Sequence, residues 1–235
     1  MGFQVIQQAG ATLLVAPELV EHINRSWFDL NWWRGNGGWL GSAPGRGESH
    51  FLCHPELQLN LVWRHYKRGG MAARLSEDRY LWSGLKQTRA YQEFELTHQL
   101  RSRGLPVPRP VAAAIVRRGL SYQADLITER LPDVASMADR LQQSLRDFPW
   151  QEVGRTIARF HHAGLDHVDL NLRNILIDTQ QQVYLIDFDR CRLRPSEPGW
   201  QQGNLDRLLR SLNKLFPNQD HSAHWQRLLD GYHAG

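Results

Sequence analysis

Three oxygen-bearing side chains stand close together in the second half of the chain, within HVDLNLRN at 167–174 and DFD at 187–189. Asp169 and Asn174 are five residues apart, and Asp187 directly follows the apolar run VYLI. Carboxylate and amide oxygens suit magnesium, which keeps several waters and takes further ligands from phosphates. A carboxylate beside such an ion can also accept the proton of a hydroxyl group. The residue types therefore indicate magnesium-assisted chemistry on a phosphate.

Two short strands are needed to position these residues. The apolar runs ILID and VYLID are joined by the polar residues TQQQ, which predicts an antiparallel hairpin with a four-residue turn. If Asp178 faces Val183, then Asn174 faces Asp187 at the open end of the hairpin. Directly opposed residues lie about 5 Å apart, so the amide and carboxylate oxygens would converge there.

Asp169 lies on the loop before this hairpin, and we expect it to accept a proton from a hydroxyl group held near the metal. His167 is expected to brace the loop rather than to take part in the chemistry. The alternative is structural, because Asp and Asn often cap strands and turns through side-chain hydrogen bonds. Three such residues at this spacing favour a metal site over this structural alternative.

The chain divides near residue 130 into a strand-rich part, 1–130, and a helix-rich part, 131–235, which predicts an α+β fold. In the first part, the glycine-rich stretch GSAPGRG at 41–47 separates predicted strands, and two more strands are predicted at about 111–117 and 121–128.

Apolar spacing predicts further elements. A helix should begin near Pro17 and run through Leu19, Ile23 and Trp27. Strand alternation resumes at Phe51 and again along Leu57, Leu59, Leu61 and Trp63. In the second part, one helical stripe of Trp150, Val153, Ile157 and Phe160 is closed by Gly164, and a second consists of Leu205, Leu208, Leu209, Leu212 and Leu215. We expect the second stripe to pack under the catalytic hairpin, with contact to a membrane as the alternative.

Residues 88–103 contain neither Pro nor Gly and are followed by a glycine, which predicts a helix that ends there. Glu93 shares the apolar face of this helix with Leu96 and Leu100. A buried carboxylate without a partner costs several kcal/mol, so we expect a cation from elsewhere in the fold to pair with Glu93. The alternative is a position at the rim, paired with Arg89 one turn earlier.

Composition places the chain among globular proteins, with 41% apolar and 10% aromatic residues. Its two cysteines lack the spacing of a disulfide framework or a zinc site and favour a reducing compartment. The amino terminus does not have the pattern of a secretory signal, and no apolar run is long enough to span a bilayer.

A basic segment with interleaved aromatic residues extends from 64 to 89 and suits an anionic partner, whether lipid, nucleic acid or nucleotide. It contains Arg64, Lys67, Arg68, Arg74, Arg79, Lys86 and Arg89, with Tyr66, Tyr80 and Trp82 between them. The whole chain carries a net charge of only +4, so the distribution is more informative than the total. An arginine-rich face that contacts only solvent is the alternative.

As a set, these motifs resemble the protein-kinase-like phosphotransferases, in which the catalytic loop H-R-D-x-x-x-x-N is followed by the metal-binding triplet D-F-G. The order along the chain agrees: a glycine turn, a basic residue in LVWRHY, a helix carrying Glu93, a hinge at TERLP and the two catalytic motifs. The resemblance implies a bilobal fold with a strand-rich N-lobe and a shortened helical C-lobe. It also implies ATP and Mg²⁺ as cofactors.

The resemblance implies roles for individual residues. Asp169 would be the catalytic base, Asn174 and Asp187 would bind magnesium, and Glu93 would position the cation that contacts the phosphates. The ATP-binding residues would also include the hinge residue Glu129 and the glycine turn, represented by Gly41, Ser42, Gly45, Arg46 and Gly47.

Three departures from the kinase pattern limit this transfer. Arg64 stands where such kinases have a lysine, with Lys67 as the alternative cation. Asp189 replaces the glycine of the triplet, so either the local turn differs or Asp189 assists the metal. No long activation segment follows, so a peptide substrate would lack its usual docking platform.

A narrower resemblance covers about residues 40–215. LVWRHYKRGG, DRYLWSGLKQTRAYQEF, RGLPVPRPVAA and the catalytic stretch are similar to the 3-deoxy-D-manno-octulosonic acid (Kdo) kinase family. The family implies phosphorylation of the 4-hydroxyl of Kdo on the lipid A precursor by ATP, at the cytoplasmic face of the bacterial inner membrane, as a peripheral enzyme. An acceptor or membrane patch would then consist of Lys67, Arg68, Arg74, Arg79 and Trp82.

Other functions stay open at this point. One alternative is a kinase of another small hydroxylated molecule, such as an aminoglycoside or a different core sugar. Another is a nucleotide-binding pseudokinase, which the departures at Arg64 and Asp189 favour and the intact catalytic motifs oppose. We expect no nucleic-acid partner, because no recognisable binding module accompanies the basic segment, and the sequence indicates no protein partner.

Overall fold

The structure is a computed structural model that describes residues 2–43, 49–67, 78–144, 148–195 and 197–235. The chain forms two compact units, of which the first comprises residues 1–98 and 108–130 and the second residues 99–107 and 131–235. The first unit is rich in strands and the second in helices, which confirms the predicted α+β fold. Which role each unit plays in a reaction stays a prediction.

An antiparallel sheet dominates the described part of the first unit, in the order β1-β2-β7-β8-β5-β4-β3, with β6 also paired to β8. Its strands are β1 (Gln4–Gln8), β2 (Ala11–Val15), β3 (Trp39–Ala43), β4 (Ser49–Cys53), β5 (Asn60–His65), β6 (Tyr80–Leu81), β7 (Pro110–Arg118) and β8 (Ser121–Glu129). The strands predicted at about 111–117 and 121–128 are confirmed as β7 and β8. Strand β3 contains the first three residues of the glycine-rich stretch and pairs with β4.

The helix predicted from Pro17 is wrong. The chain instead forms single 3₁₀ turns at Pro17–Leu19 and Arg25–Phe28, and the first α-helix, α1, occupies Leu30–Gly35. Asn24 and Asp29 interrupt a continuous helix, because each side chain accepts a hydrogen bond from the backbone N–H two residues later. The apolar spacing in this region therefore indicated burial rather than one long helix.

The strand predicted from Leu57 begins only at Asn60. Residues 54–59 form a turn in which the His54 N–H donates to the Leu59 carbonyl oxygen at 2.9 Å. Gln58 has a φ of +53°, a conformation that a strand does not contain. Leu57 and Leu59, the first apolar residues of the alternating pattern, therefore belong to the turn and not to the strand.

Helix α2 spans Arg89–Ser102 and confirms the helix predicted at 88–103. At its end, the Leu105 N–H donates to the Leu100 carbonyl oxygen at 3.2 Å, and the Gly104 N–H donates to that of Arg101 at 2.9 Å. Gly104 has a φ of +73°, which glycine adopts without strain. These two bonds form the Schellman motif that the glycine predicted.

The second unit is built mainly from helices. These are α3 (Met137–Gln143), α4 (Trp150–His162), α5 (Pro198–Leu215) and α6 (Ser222–His233), and its short strands are β9 (Ala135–Ser136), β10 (Leu165–Asp166), β11 (Ile175–Ile177), β12 (Val183–Leu185) and β13 (Arg192–Leu193). Helix α4 and its terminating Gly164 confirm the first helical stripe. Of the second stripe, Leu205, Leu208 and Leu212 are buried in the core. Among the described residues, no helix is long and apolar enough to cross a bilayer.

Helices α4 and α6 pack with their backbones in close contact. A Cβ atom on Gly154 would lie 2.0 Å from the Leu228 carbonyl oxygen, and one on Gly231 would lie 2.0 Å from that of Gln151. Both distances are far below van der Waals contact, so glycine is required at each position. This packing fixes α4, whose end leads into the loop with Asp169.

Candidate functional site

The predicted hairpin is present as β11 and β12, but its register differs by one residue from the prediction. Ile175 pairs with Leu185, and the Ile186 N–H donates to the Asn174 carbonyl oxygen at 3.1 Å. Asn174 therefore lies opposite Ile186, and the predicted pairing of Asn174 with Asp187 is wrong. Asp187 follows Ile186 in the chain, so it lies one position beyond the residue opposite Asn174.

The turn of the hairpin explains the shift. The Asp178 N–H donates to the Gln182 carbonyl oxygen at 3.1 Å, so Gln182 belongs to the ladder and only three residues remain in the loop. Gln181 has a φ of +63°, and the Asp178 carboxylate accepts bonds from the N–H groups of Gln180 and Gln182 at 2.9 Å each. A left-handed residue after a tight turn is typical of three-residue hairpin loops, and neither Gly nor Asn marks it in this sequence.

A side-chain hydrogen bond connects Asn174 to the loop before the hairpin. Its Nδ2 donates to the Asp169 carbonyl oxygen at 2.9 Å, and Asn171 Nδ2 donates to the same oxygen at 2.9 Å. Asn174 is buried, whereas the Asp169 side chain is exposed. Because the amide nitrogen is engaged, Oδ1 is the atom of Asn174 that remains for a ligand. Within the described residues, no group donates to it.

His167 is hydrogen-bonded through its ring and its backbone, and its predicted bracing role stays a prediction. Its ring is buried, and Nε2 lies 3.1 Å from the Ile186 carbonyl oxygen, to which it donates. Burial lowers the pKa of His167, while the charges of Asp187 and Asp169 act in the opposite direction. Both carboxylates are thus close enough to His167 to influence its pKa.

Asp187 adopts a strained backbone conformation. Its φ of +63° lies in the left-handed region, which costs a non-glycine residue about 1 kcal/mol, and Arg190 shares this φ. Strain of this kind is frequent at functional sites, and aspartate tolerates it better than most residues. The structure thus places the bend at Asp187, ahead of Asp189, the half-buried residue that replaces the glycine of the kinase triplet.

Polar side chains on α5 hold the loop that contains Asp169, and the sequence did not predict this contact. Asn204 Oδ1 accepts a bond from the His167 N–H at 2.8 Å, while its Nδ2 donates to the buried Asp166 carboxylate at 3.0 Å. Arg207 Nε donates to the Val168 carbonyl oxygen at 2.8 Å. A signal was available, because Asn204 interrupts the leucine stripe of α5 on its buried face.

In the first unit, Arg64 on β5 pairs with Glu93 on α2. Arg64 Nη2 donates to both carboxylate oxygens at 2.5 Å, and the Tyr66 hydroxyl donates to one of them. Glu93 is only 3% exposed, so a cation from a distant part of the sequence satisfies a buried carboxylate, as expected. The alternative position of Glu93 at the rim is wrong, because its side chain is buried, and Arg89 donates to the Tyr80 hydroxyl at 2.9 Å.

The predicted glycine turn is only partly described. Gly41 has a φ of +128° and lies at a bulge between β3 and β4, and Ser42 belongs to β3. Gly45, Arg46 and Gly47 lie outside the described residues. The bulge requires glycine at position 41, whatever the role of the turn.

Glu129, the predicted hinge residue, ends β8. Arg109 Nε donates to its carboxylate at 2.9 Å, and Arg109 also pairs with Glu18. The Glu129 N–H donates to the Arg109 carbonyl oxygen at 2.8 Å. These bonds tie the last residues of the first unit to its sheet, and the nucleotide-binding role of Glu129 stays a prediction.

The predicted acceptor or membrane patch is also described only in part. Lys67 and Arg79 are exposed, and Trp82 is half-buried. Arg68 and Arg74 lie outside the described residues. Arg117, from the β7–β8 hairpin, lies over the Trp82 ring with its Cζ atom 4.9 Å from the ring centroid.

The predicted metal ligands have the right chemistry for magnesium. In the described residues, no group of three or more His, Cys, Asp or Glu side chains is arranged to hold a metal. Magnesium in phosphate-transfer sites needs only one or two carboxylates, because waters and phosphates complete its coordination. The oxygen of Asn174 and the carboxylate of Asp187 fit this description, and their role as ligands stays a proposal.

Comparisons with known proteins agree with the kinase resemblance. The model of the lipopolysaccharide kinase (Kdo/WaaP) family matches residues 30–232. A Vibrio parahaemolyticus protein described as 3-deoxy-D-manno-octulosonic acid kinase is 44% identical over 210 residues, which cover 89% of this chain and 86% of that protein. A Stenotrophomonas maltophilia protein of the same description is 52% identical over 171 residues, covering 73% and 68%.

The solved structure described as WaaP in complex with acyl carrier protein has the same fold. Its TM-score is 0.58 at 16% identity, and the match covers 99% of this chain and 89% of that one. The kinase-like fold expected from the motifs is therefore confirmed, and the family matches confirm that the protein is a kinase. The chain belongs to the lipopolysaccharide kinase (Kdo/WaaP) family.

Proposed function

We propose that this kinase transfers a phosphate group from ATP to the Kdo sugar of a lipid A precursor, in the biosynthesis of the lipopolysaccharide core. The bond from Asn174 to the Asp169 carbonyl is the observation that carries the chemistry, because it joins a candidate metal ligand to a candidate base. The choice of Kdo as the acceptor is supported by relatives that are described as Kdo kinases and are 44% to 52% identical to this chain. The 4-hydroxyl as the reacting group rests on family resemblance.

In this proposal, Asp169 accepts the proton of the attacking sugar hydroxyl. Two asparagine side chains hold the backbone carbonyl of Asp169, which fixes the position of its backbone. The side chain itself is exposed, so the carboxylate is accessible to solvent. A positioned base of this kind contributes about 10²- to 10⁴-fold to a rate. Positioning matters in phosphate transfer because the protein supplies mainly orientation and charge.

Asn174 and Asp187 would hold magnesium, which when bound neutralises charge on the phosphate oxygens. Arg64 is the cation proposed to contact the phosphates, and Glu93 fixes its guanidinium group through two hydrogen bonds. Arginine can neutralise phosphate in place of lysine, through a planar fork rather than a point charge. The glycine turn at 41–47 and the hinge residue Glu129 are proposed to bind the nucleotide.

The acceptor of this reaction is a lipid, so we place the kinase at the cytoplasmic face of the inner membrane, as a peripheral protein on an anionic surface. The basic segment supports this, because cationic side chains near an anionic leaflet are attracted by about 1 kcal/mol each. Neither a nucleic acid nor a protein partner is part of the proposal.

Mass spectrometry after incubation with magnesium ATP and a Kdo-bearing lipid A precursor tests the function. One added phosphate on the Kdo residue is the expected product. Asp169→Ala should give no product while binding ATP like the wild type, and Asp230→Ala, at an exposed aspartate of α6, should keep full activity. Phosphate on a different sugar, or ATP binding without transfer by the wild type, would contradict the proposal.

A further inference from the structure

Two leucine side chains are held in solvent at one edge of the first unit. Leu120 is 81% exposed and Leu81 is 77% exposed, so neither side chain packs into the core. Leu81 pairs with Ser121, the residue after Leu120, and the Trp82 N–H donates to the Leu120 carbonyl oxygen at 2.9 Å. The two leucines therefore lie at the same edge of the sheet.

The exposure of these leucines is built into the backbone. Gly119 and Leu120 form a two-residue turn between β7 and β8, in which Gly119 has a φ of +62°. Ser121 Oγ donates to the Arg118 carbonyl oxygen at 3.1 Å and closes the turn. Turn tips are normally polar, so a leucine fixed there exposes apolar surface that is stabilised by being covered.

Cationic residues and an aromatic ring belong to the two segments that carry the leucines. The segments 79–89 and 117–122 contain five cationic residues and neither Asp nor Glu; the cations are Arg79, Lys86, Arg89, Arg117 and Arg118. Arg117 lies over the half-buried Trp82 ring. Asp78, which borders the first segment, is engaged with His65 and Gln123. The edge therefore presents apolar tips inside a cationic border.

We infer that this edge, the hairpin-tip surface of Leu81, Trp82, Arg117, Arg118 and Leu120, docks onto an anionic lipid bilayer. The leucines enter the region between headgroups and acyl chains, the Trp82 ring lies at headgroup level, and the arginines contact lipid phosphates. An exposed turn with apolar tips suits a soft bilayer better than the rigid surface of a protein. The inference rests on the proposed function in one respect, since that function places the acceptor in a membrane.

Sedimentation of the full chain with lipid vesicles tests the inference. The wild type should bind vesicles in which about one third of the phosphatidylcholine is replaced by phosphatidylglycerol, and should bind pure phosphatidylcholine vesicles more weakly. Leu81→Ser with Leu120→Ser should weaken binding about tenfold or more, because two apolar side chains no longer leave water. Arg118→Gln should weaken binding to the anionic vesicles about fivefold.

Matched variants keep this test specific. Val5→Ser removes a side chain that is 48% exposed on β1, and Arg210→Gln removes an exposed cation on α5. Both should bind vesicles like the wild type. Unchanged binding by the double leucine variant would overturn the inference. It would also be overturned if the wild type bound neither kind of vesicle, or bound the anionic and the pure phosphatidylcholine vesicles equally.

A second readout separates this inference from the proposed function. The double leucine variant should lose more activity on an acceptor embedded in vesicles than on a deacylated, water-soluble acceptor. If neither acceptor is phosphorylated by the wild type while anionic vesicles bind through the leucines, the proposed function fails and the docking surface stands. If both acceptors are phosphorylated without vesicle binding, the docking surface fails and the kinase stands.

Discussion

The two units hold their candidate site residues by different means. In the first unit, charged side chains fix one another: Arg64 donates to Glu93, and His65 Nδ1 lies 2.7 Å from an Asp125 carboxylate oxygen. In the second unit, the loop with Asp169 is held through bonds to its backbone from side chains such as Asn174. Among the described residues, no side chain pairs with the Asp169 carboxylate, which is exposed.

The protonation of a histidine follows the surroundings of its ring, and burial lowers the pKa of His54 in the first unit. The hydrogen bond to Asp125 raises the pKa of His65 in the first unit. In the second unit, burial lowers the pKa of His161 to about 4 and also lowers that of His167. The charged form of histidine is thus favoured where a carboxylate bonds the ring directly, and the neutral form is favoured where loss of solvent outweighs nearby carboxylates.

Asp169→Asn gives the largest expected effect. The turnover number should fall about 10³-fold, since a general base contributes about 10²- to 10⁴-fold. The free energy of unfolding should change by less than about 0.5 kcal/mol, because the side chain is exposed and makes no hydrogen bond to the described residues. Kinase assays and thermal unfolding measure the two quantities. A loss of stability that parallels the loss of activity would make Asp169 structural.

Glu93→Gln should lower the stability of the first unit. The substitution leaves Arg64 without its anion, and removal of one partner from a buried ion pair costs about 3 kcal/mol. Denaturant unfolding measures this loss. Glu152→Gln is the matched control, because Glu152 pairs with Arg155 on an exposed helix face, and such pairs contribute less than about 1 kcal/mol. Equal effects of the two variants would contradict the contrast between buried and exposed pairs.

Local patterns made α2, α4, β7 and β8 predictable. A helix face with a glycine stop predicted α2, and the cost of burying the Glu93 charge predicted its ion pair. The first inference uses residues that are neighbours in sequence, and the second uses the free-energy cost of burying any charge. Neither requires knowledge of which distant residues come together.

The errors arose where backbone conformation or distant contacts decide. The register of the β11–β12 hairpin depends on Gln181 at a φ of +63°, a conformation that glutamine does not signal. Asn204 acquires its role only when α5 packs under the loop at His167. Leu120 was not singled out, because the sequence does not show that its turn points into solvent.

His161→Phe should reduce the pH dependence of the free energy of unfolding below pH 6.5. Because the folded pKa is lowered from 6.5 to about 4, the neutral ring is fully stabilising above pH 6.5, and this stability is lost as the pH falls towards 4. The shift corresponds to roughly 3 kcal/mol. Unfolding curves between these pH values should be less steep in the variant than in the wild type. His162→Gln, at the exposed neighbouring position, should leave the slope unchanged.

His65→Gln should act on the alkaline side, with the smallest effect. The folded pKa is raised, so the stability from the charged ring is fully present below pH 6.5 and is lost as the pH rises through the folded pKa. A partly exposed pair of this kind contributes about 1 kcal/mol or less. The wild type should therefore lose more stability than the variant as the pH rises above 6.5, with His22→Gln, at an exposed position, behaving like the wild type. If His65→Gln instead flattened the acid side, the hydrogen bond to Asp125 would not stabilise the charged ring of His65.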